Sequence, residues 1–293
     1  MPYEGIEAVD RCNSIASFLS LTSENPRQKI IDIGAYQIAG DPPYGPLLRA
    51  GNAEIVGFEP NRQALAKLND MKGPRATYLP YAVGDGAQHT LHICAAADMT
   101  SLLVPNPDVL NLFHGFPVWG RVVATEQVRT WRLDDIPEAN GVTFLEMDIQ
   151  GAELMVLRNA ENRLRDVLVL HLEVEFLPLY KDQPLFSDVE RFLRERGFVL
   201  HRFSTVVSRV IQPLLVDNNI FKGLSQIVWA DAVFVRDFTR LALLSDQQLL
   251  GMAAILHDCY RSVDLTLHLL TEYDRRTTTR MAANYLTSLQ RAA

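Results

Sequence analysis

The feature that most constrains this chain is a recurring unit. A short apolar run stops on an acidic side chain or a glycine, and a stretch of helical spacing usually follows. KIIDIGA (29–35), AEIVGFEP (53–60), ATYLPYAVGD (76–85), GVTFLEMDIQG (141–151), VLVLHLEVEF (167–176) and GFVLHRF (197–203) are the runs. Near-continuous apolarity over so few residues is what a strand covered on both faces requires. Helical spacing is predicted over 46–50, 62–71, 153–164 and 188–196. Strands alternating with helices predict an α/β fold with a doubly wound, mostly parallel sheet. Such a sheet takes its ligand beyond the carboxyl ends of the strands, where the strand order reverses. The acidic strand ends are therefore the first place to look for function.

Three segments depart from that pattern. Ile6 to Leu21 reads as an amphipathic helix ended by Asn25-Pro26, and Ser245 to Leu289 is helical, with Leu249, Leu250, Ala253, Leu256, Leu265 and Leu269 at helical spacing. The stretch 86–132 carries strands at 90–94 and 122–131 around a loop rich in Pro, Asn and Gly, and reads as an inserted hairpin or lid. The expected organisation is an N-terminal helical segment (1–28), a Rossmann-like domain (29–237) and a C-terminal helical extension (238–293) that either covers the sheet or serves a homodimer.

Composition narrows the setting. Hydrophobic residues at 48% against 22% charged are enough for a sizeable core, which excludes disorder. A net charge of −7 repels phosphate backbones, and the densest basic patch, Arg275, Arg276 and Arg280, is interleaved with Glu272 and Asp274, so nucleic acid is not an expected partner. Cys12, Cys94 and Cys259 form neither a disulfide framework nor a metal pair. Glu4, Glu7 and Asp10 stand where a secretory leader would be basic, and no apolar run reaches the roughly 18 residues of a membrane span. A cytoplasmic protein with no membrane partner is expected.

At the first strand end, Asp32 precedes Gly34 and Ala35; the glycine lets backbone approach a ligand, and the carboxylate suits an ammonium group better than a pyrophosphate. Glu59, followed by Pro60 and Asn61, can accept both hydroxyls of a ribose. Asp85 ends the third run, where it can face an adenine amino group. The loop Gly34-Ala35-Tyr36-Gln37-Ile38-Ala39-Gly40 lacks the spacing of a dinucleotide or phosphate loop, which disfavours a nicotinamide oxidoreductase. In DIQGAE, Asp148 ends a strand and Glu153 opens a helix, so both carboxylates are candidates for proton transfer in a crevice they share, although a glutamate in a helix's first turn is also favoured by the dipole alone. His171, Glu173 and Glu175 share a strand face with one another; a divalent-metal site built from them and Asp148 is the less favoured reading, and no metal is expected.

IDIGA, VGFEPN, AVGDG, TSLL with the following VRTWRLDDI, and above all FLEMDIQGAELMVLRNA, resemble the FkbM family of S-adenosylmethionine-dependent methyltransferases between about Ile30 and Phe203. The resemblance implies a Rossmann-like class I methyltransferase fold. It implies that S-adenosylmethionine is held around Asp32, Gly34, Ala35, Tyr36, Glu59, Pro60, Asn61 and Asp85, with Asp148 near the transferred methyl and Thr100-Ser101 close to the pocket. S-adenosylhomocysteine would be the product. The chain departs from the family where Tyr36-Gln37 replaces a frequent asparagine and second glycine. The expectation is O-methylation of a small molecule or sugar hydroxyl. The alternative is a non-catalytic cofactor-binding protein that interacts through its C-terminal helices.

Overall fold

The computed structural model describes residues 17–21, 26–35 and 41–292. Tyr36 and most of the expected N-terminal helix lie outside these residues; α1 (Phe18–Leu21) is the part described. The chain divides into two compact units, one of Met1–Gln28, Asp41–Glu54 and Asp237–Ala293, the other of Lys29–Gly40 and Ile55–Arg236. Asp41–Glu54 thus groups with the terminal segments.

The main sheet contains β1 (Gln28–Ile33), β2 (Ala53–Phe58), β3 (Ala76–Leu79), β7 (Phe144–Met147), β8 (Val169–Glu175), β9 (Phe198–Arg209) and β10 (Gln226–Arg236), in the order β3-β2-β1-β7-β8-β10-β9. β2 and β3 pair in parallel, as do β1 with β7 and β7 with β8. The strand order therefore reverses between β1 and β7. One face carries Ile31, Ile33, Leu145, Met147, Leu170 and Leu172, packed with Leu154 and Leu157 of α6 (Glu153–Arg158) and Val189 and Leu193 of α7 (Phe186–Arg194).

Local chemistry explains where this fold departs from the periodicity. ATYLPYAVGD is not one strand: β3 stops before Pro80, which has no N–H to continue a ladder, and β4 (Ala82–Val83) joins a second sheet. That sheet has the order β4-β6-β5, with β5 (Gln88–Cys94) and β6 (Val122–Trp131) antiparallel and the short helices α4 (Pro107–Leu110) and α5 (Phe116–Trp119) between them. α6 ends at Arg158, earlier than the spacing predicts; the Asn159 side chain turns back onto the Met155 carbonyl at 2.9 Å. The largest correction is β10, absent from the sequence reading. It is antiparallel to both β8 and β9 and enters the sheet between them.

α3 (Arg62–Met71) forms where the spacing places it, because Asn61 caps it: Asn61 Oδ1 accepts from the Gln63 and Ala64 amides at 3.0 and 3.1 Å. In the other unit, α2 (Gly45–Arg49) joins α8 (Asp246–Tyr260), α9 (Val263–Thr277) and α10 (Met281–Ala292). Ser245 and Gln248 form a capping box at the start of α8, and Asp258 accepts the Phe18 amide at 2.8 Å. Among the described residues no helix is long and apolar enough to cross a membrane.

The turn after β1 depends on Gly34. Its φ is +89°, and a Cβ there would lie 2.3 Å from the Asp148 carbonyl oxygen. Both the left-handed backbone and the close approach oppose any side chain, so Gly34→Ala is expected to lower the unfolding free energy by about 2 kcal/mol or more in urea titrations.

Candidate functional site

The carboxyl ends of β3, β2, β1 and β7 are stitched together by main-chain hydrogen bonds. Glu59 N donates to Leu79 O at 3.0 Å, Gly34 N and Ala35 N donate to Phe58 O at 3.1 and 3.2 Å, and Asp148 N donates to Ile33 O at 3.2 Å. Three of the sequence-predicted positions, Asp32–Ala35, Glu59 and Asp148, are thereby brought onto one edge of the sheet. Glu59 is 8% exposed, and its Oε1 accepts the Asn61 amide at 2.7 Å. Asn61 has its side-chain oxygen engaged by α3, so its contribution here is to cap the helix and anchor Glu59. Pro60 is exposed between them.

Asp85 lies on the second sheet, which is linked to this edge by Tyr81 stacking on Phe58 at 6.2 Å between ring centroids. Its Oδ1 takes three contacts: the Ala87 amide at 2.9 Å, His89 Nε2 at 2.8 Å and Thr130 Oγ1 at 3.2 Å. Burial disfavours the charged carboxylate, yet His89, Ala87 and Thr130 together hold its pKa below the ordinary range. Asp85 thus ties the small sheet together with one oxygen; the other is not used by these bonds.

On β7 and β8 the alternation places carboxyl groups side by side. Asp32 is in register with Glu146, and Glu146 with His171. Glu173 is in register with Asp231 and Glu175 with Trp229 across the β8–β10 ladder. The Glu146 carboxyl is pushed well up, first by burial and then by the charge and hydrogen bond of Asp32, so it keeps its proton and shares it with Asp32. Burial raises Glu173 and Glu175 well above the usual range, with neighbouring carboxylates adding to it. Burial lowers His171, which leaves a neutral imidazole, although Asp231 opposes the shift.

Asp148 has a different setting. Its side chain remains open to solvent, but it stands on a floor dense with protein, and this desolvation, with Asp231, Asp32 and Asp98 nearby, raises its pKa to about 6 against the hydrogen bond from Gln150. Glu153, expected to share the crevice, faces inward instead. It is 3% exposed, and its Oε1 accepts the Ile149 amide at 3.0 Å. Burial raises it to about 8, opposed by backbone N–H groups that include Ile149 and Gly151. Its role is to brace the loop under Asp148 rather than to meet an acceptor. Within that loop Gln150 is left-handed (φ 57°) and Gly151 has φ 95°, with the Gln183 amide so near that a Cβ would lie 2.7 Å from its nitrogen.

Ser101 is also behind the site, not in it. It is 1% exposed; its hydroxyl donates to Gln150 O at 2.7 Å and accepts the Leu103 amide at 2.9 Å. Thr100 accepts the Cys94 amide at 3.2 Å. Sequence reasoning missed the partners of this loop. Gln150 sat unassigned inside DIQGAE, and Tyr180, buried beside Met99, had no periodic signal to mark it. Among the described residues no three His, Cys, Asp or Glu side chains are arranged to hold a metal ion.

The edge fits a cationic sulfonium nucleoside. The close seat at Gly34 admits backbone only, a carboxylate ends β2 where ribose hydroxyls would be accepted, and the side chains named at the strand tips are acidic. No curated protein matches the chain. Among solved structures it is similar to a candidate methyltransferase from Thermoplasma acidophilum, at 7% identity over 72% of this chain and 69% of that one, TM-score 0.37. It is also similar to a candidate rRNA methylase from Clostridium thermocellum, at 11% identity over 72% and 91%, TM-score 0.33. A third is LepI in complex with SAM, at 10% identity over 78% of this chain but 46% of LepI, TM-score 0.31. The family model described as the methyltransferase FkbM domain matches residues 32–200, more than half of the 293 residues, and the chain belongs to the FkbM methyltransferase family.

Proposed function

We propose that this S-adenosylmethionine-dependent methyltransferase methylates a hydroxyl group of a small molecule or a sugar, with Asp148 receiving the acceptor's proton. The observation that carries the reading is the contrast among the carboxylates at the strand tips. Asp148 alone combines solvent exposure with a pKa of about 6, beside a neutral, buried Glu146 and a neutral, half-buried Glu173. A base poised near neutrality is ionised at working pH and still holds a proton in the transition state.

Asp32, Glu59 and the Gly34 turn are the residues that would hold the cofactor: carboxylates toward its ammonium and ribose, backbone toward its methionine tail. When bound, the cofactor supplies an electrophilic methyl on a positive sulfur. On this reading Asp148 faces the acceptor hydroxyl and would take its proton as the methyl group passed from the sulfur to the oxygen. Glu153 keeps the 149–151 loop in place while this happens.

Three outcomes are expected. In transfer assays with methyl-labelled S-adenosylmethionine over a panel of hydroxylated small molecules and sugars, Asp148→Asn lowers turnover by about 100-fold or more, and the wild-type rate falls as pH drops below about 6. No transfer to any hydroxyl, alongside transfer to amines or thiols, would overturn the reading. Isothermal titration with S-adenosylhomocysteine should show Glu59→Ala binding more weakly by about 1–3 kcal/mol; unchanged affinity removes Glu59 from the site. The third concerns stability. The folded protein holds a proton on Glu153 up to about pH 8 while the unfolded chain loses it near the ordinary glutamate value of 4.5. Stability from this group is therefore present at low pH and lost as pH rises through that window. Glu153→Gln should flatten the decline of the thermal midpoint between about pH 5 and 8 and leave the variant the more stable form above it.

A further inference from the structure

Gln150 makes more hydrogen bonds than its place in the loop requires. Its amide nitrogen has two N–H groups, and both point at carboxylates: Asp148 Oδ1 at 2.8 Å and Glu173 Oε1 at 2.6 Å. Its amide oxygen accepts the Tyr180 hydroxyl at 2.9 Å, and its main-chain oxygen accepts the Ser101 hydroxyl at 2.7 Å. The amide nitrogen faces both carboxyl groups, and turning the amide over would set its oxygen against the charged Asp148 carboxylate. The backbone at Gln150 is in the left-handed region at φ 57°, a conformation that persists only where the surroundings impose it. Here they do. Tyr180 is fully buried, its one hydroxyl proton lying between Gln150 Oε1 and the more distant Met99 carbonyl at 3.1 Å, and Ser101 belongs to the inserted segment.

We infer that Gln150 is a positioning residue: its amide clamps the Asp148 and Glu173 carboxyl groups into one unit, and Ser101 of the inserted segment and Tyr180 beyond β8 fix that clamp. The inference deepens the proposed function and rests on its placing of Asp148 beside the transferred methyl. The chemistry is specific. Two carboxylates this close to one amide cannot both be ionised cheaply. The N–H donated to Asp148 supports its charge, and burial together with that neighbouring charge places the proton on Glu173, whereas an apolar side chain at position 150 leaves Asp148 with less support for its charge. The hydroxyl of Tyr180 matters because it occupies the amide oxygen and so fixes which end of the amide meets the carboxylates.

The test needs no acceptor. S-adenosylmethionine carries a positive sulfonium that S-adenosylhomocysteine lacks, so an ionised Asp148 beside the sulfur favours the former, by roughly tenfold. The ratio of the two affinities, measured by titration calorimetry on the full chain between about pH 5 and 8, reads the ionisation of Asp148 directly. In wild type the preference should appear as pH rises through about 6. Asp148→Asn should abolish it. Gln150→Met should keep it but move its midpoint up by roughly one pH unit, and Tyr180→Phe should move it the same way by less. Thermal melts establish that each variant is folded, and Tyr180→Phe, which removes one oxygen, decides the matter if Gln150→Met does not fold. If Asp148→Asn abolishes the preference while both other variants keep the wild-type midpoint, Gln150 is not a positioning residue and the proposed function stands. If Asp148→Asn leaves the ratio at its wild-type value, Asp148 is not beside the sulfur and both readings fall together.

Discussion

The pairing of β1 with β7 is the constraint on which the site rests, and its chemical signature is a shared proton. Asp32 and Glu146 lie opposite each other in register and both are buried. Two charged carboxyl groups in that position would repel strongly in a poorly solvated setting, so Glu146 stays protonated and donates to Asp32. That register carries the strand ends with it. Asp148 N reaches Ile33 O, and Gly34 comes under the Asp148 carbonyl, where no side chain fits. The point at which the sheet changes direction is thus also the point at which the two halves of this strand-tip edge are fastened to each other.

A single residue type serves several purposes along this edge, and the surroundings decide which. Asp85 receives three donors and stays charged, tying down the second sheet. Glu153 is buried against backbone amides, holds a proton to about pH 8, and braces a loop. Glu173 and Glu175 are raised well above the ordinary range by burial. Asp148 alone stays open to solvent with a pKa of about 6. Separation of pKa values among neighbouring carboxyl groups is how a fold assigns acid, base and structural roles to the same side chain.

The inserted segment contributes a second core rather than a loose flap. Phe113, Phe116, Tyr180 and Val228 are buried together, with Trp119 and Trp229 against them. Tyr180 reaches from this core to the loop that follows β7, and Ser101, two residues past Met99 of the core, reaches the same loop. Residues distant in sequence therefore set the geometry of Gln150 and, through it, of the carboxylates. A rigid apolar base is what allows a left-handed residue to be held in place at modest cost.

Much of this protein is legible in its sequence because local rules suffice there. Apolar runs ending in Asp32, Glu59 and Asp148 give buried strands with polar tips, and Asn61 announces the start of α3. DIQGAE and FEPN are local strings, so the family is legible too. What the sequence cannot convey is which carboxyl group faces which partner. Glu153 has the spacing of a crevice residue, yet the tight turn at Gln150 and Gly151 directs it inward. Ser101 has the place of a pocket residue, yet its hydroxyl is consumed by Gln150 O and Leu103 N. β10 escapes notice because an apolar run does not reveal its direction or its neighbours, and its insertion between β8 and β9 is set only when the whole sheet assembles. Sequence fixes what each segment buries; partner, orientation and protonation follow from contacts between residues far apart in the chain, and those exist only after folding.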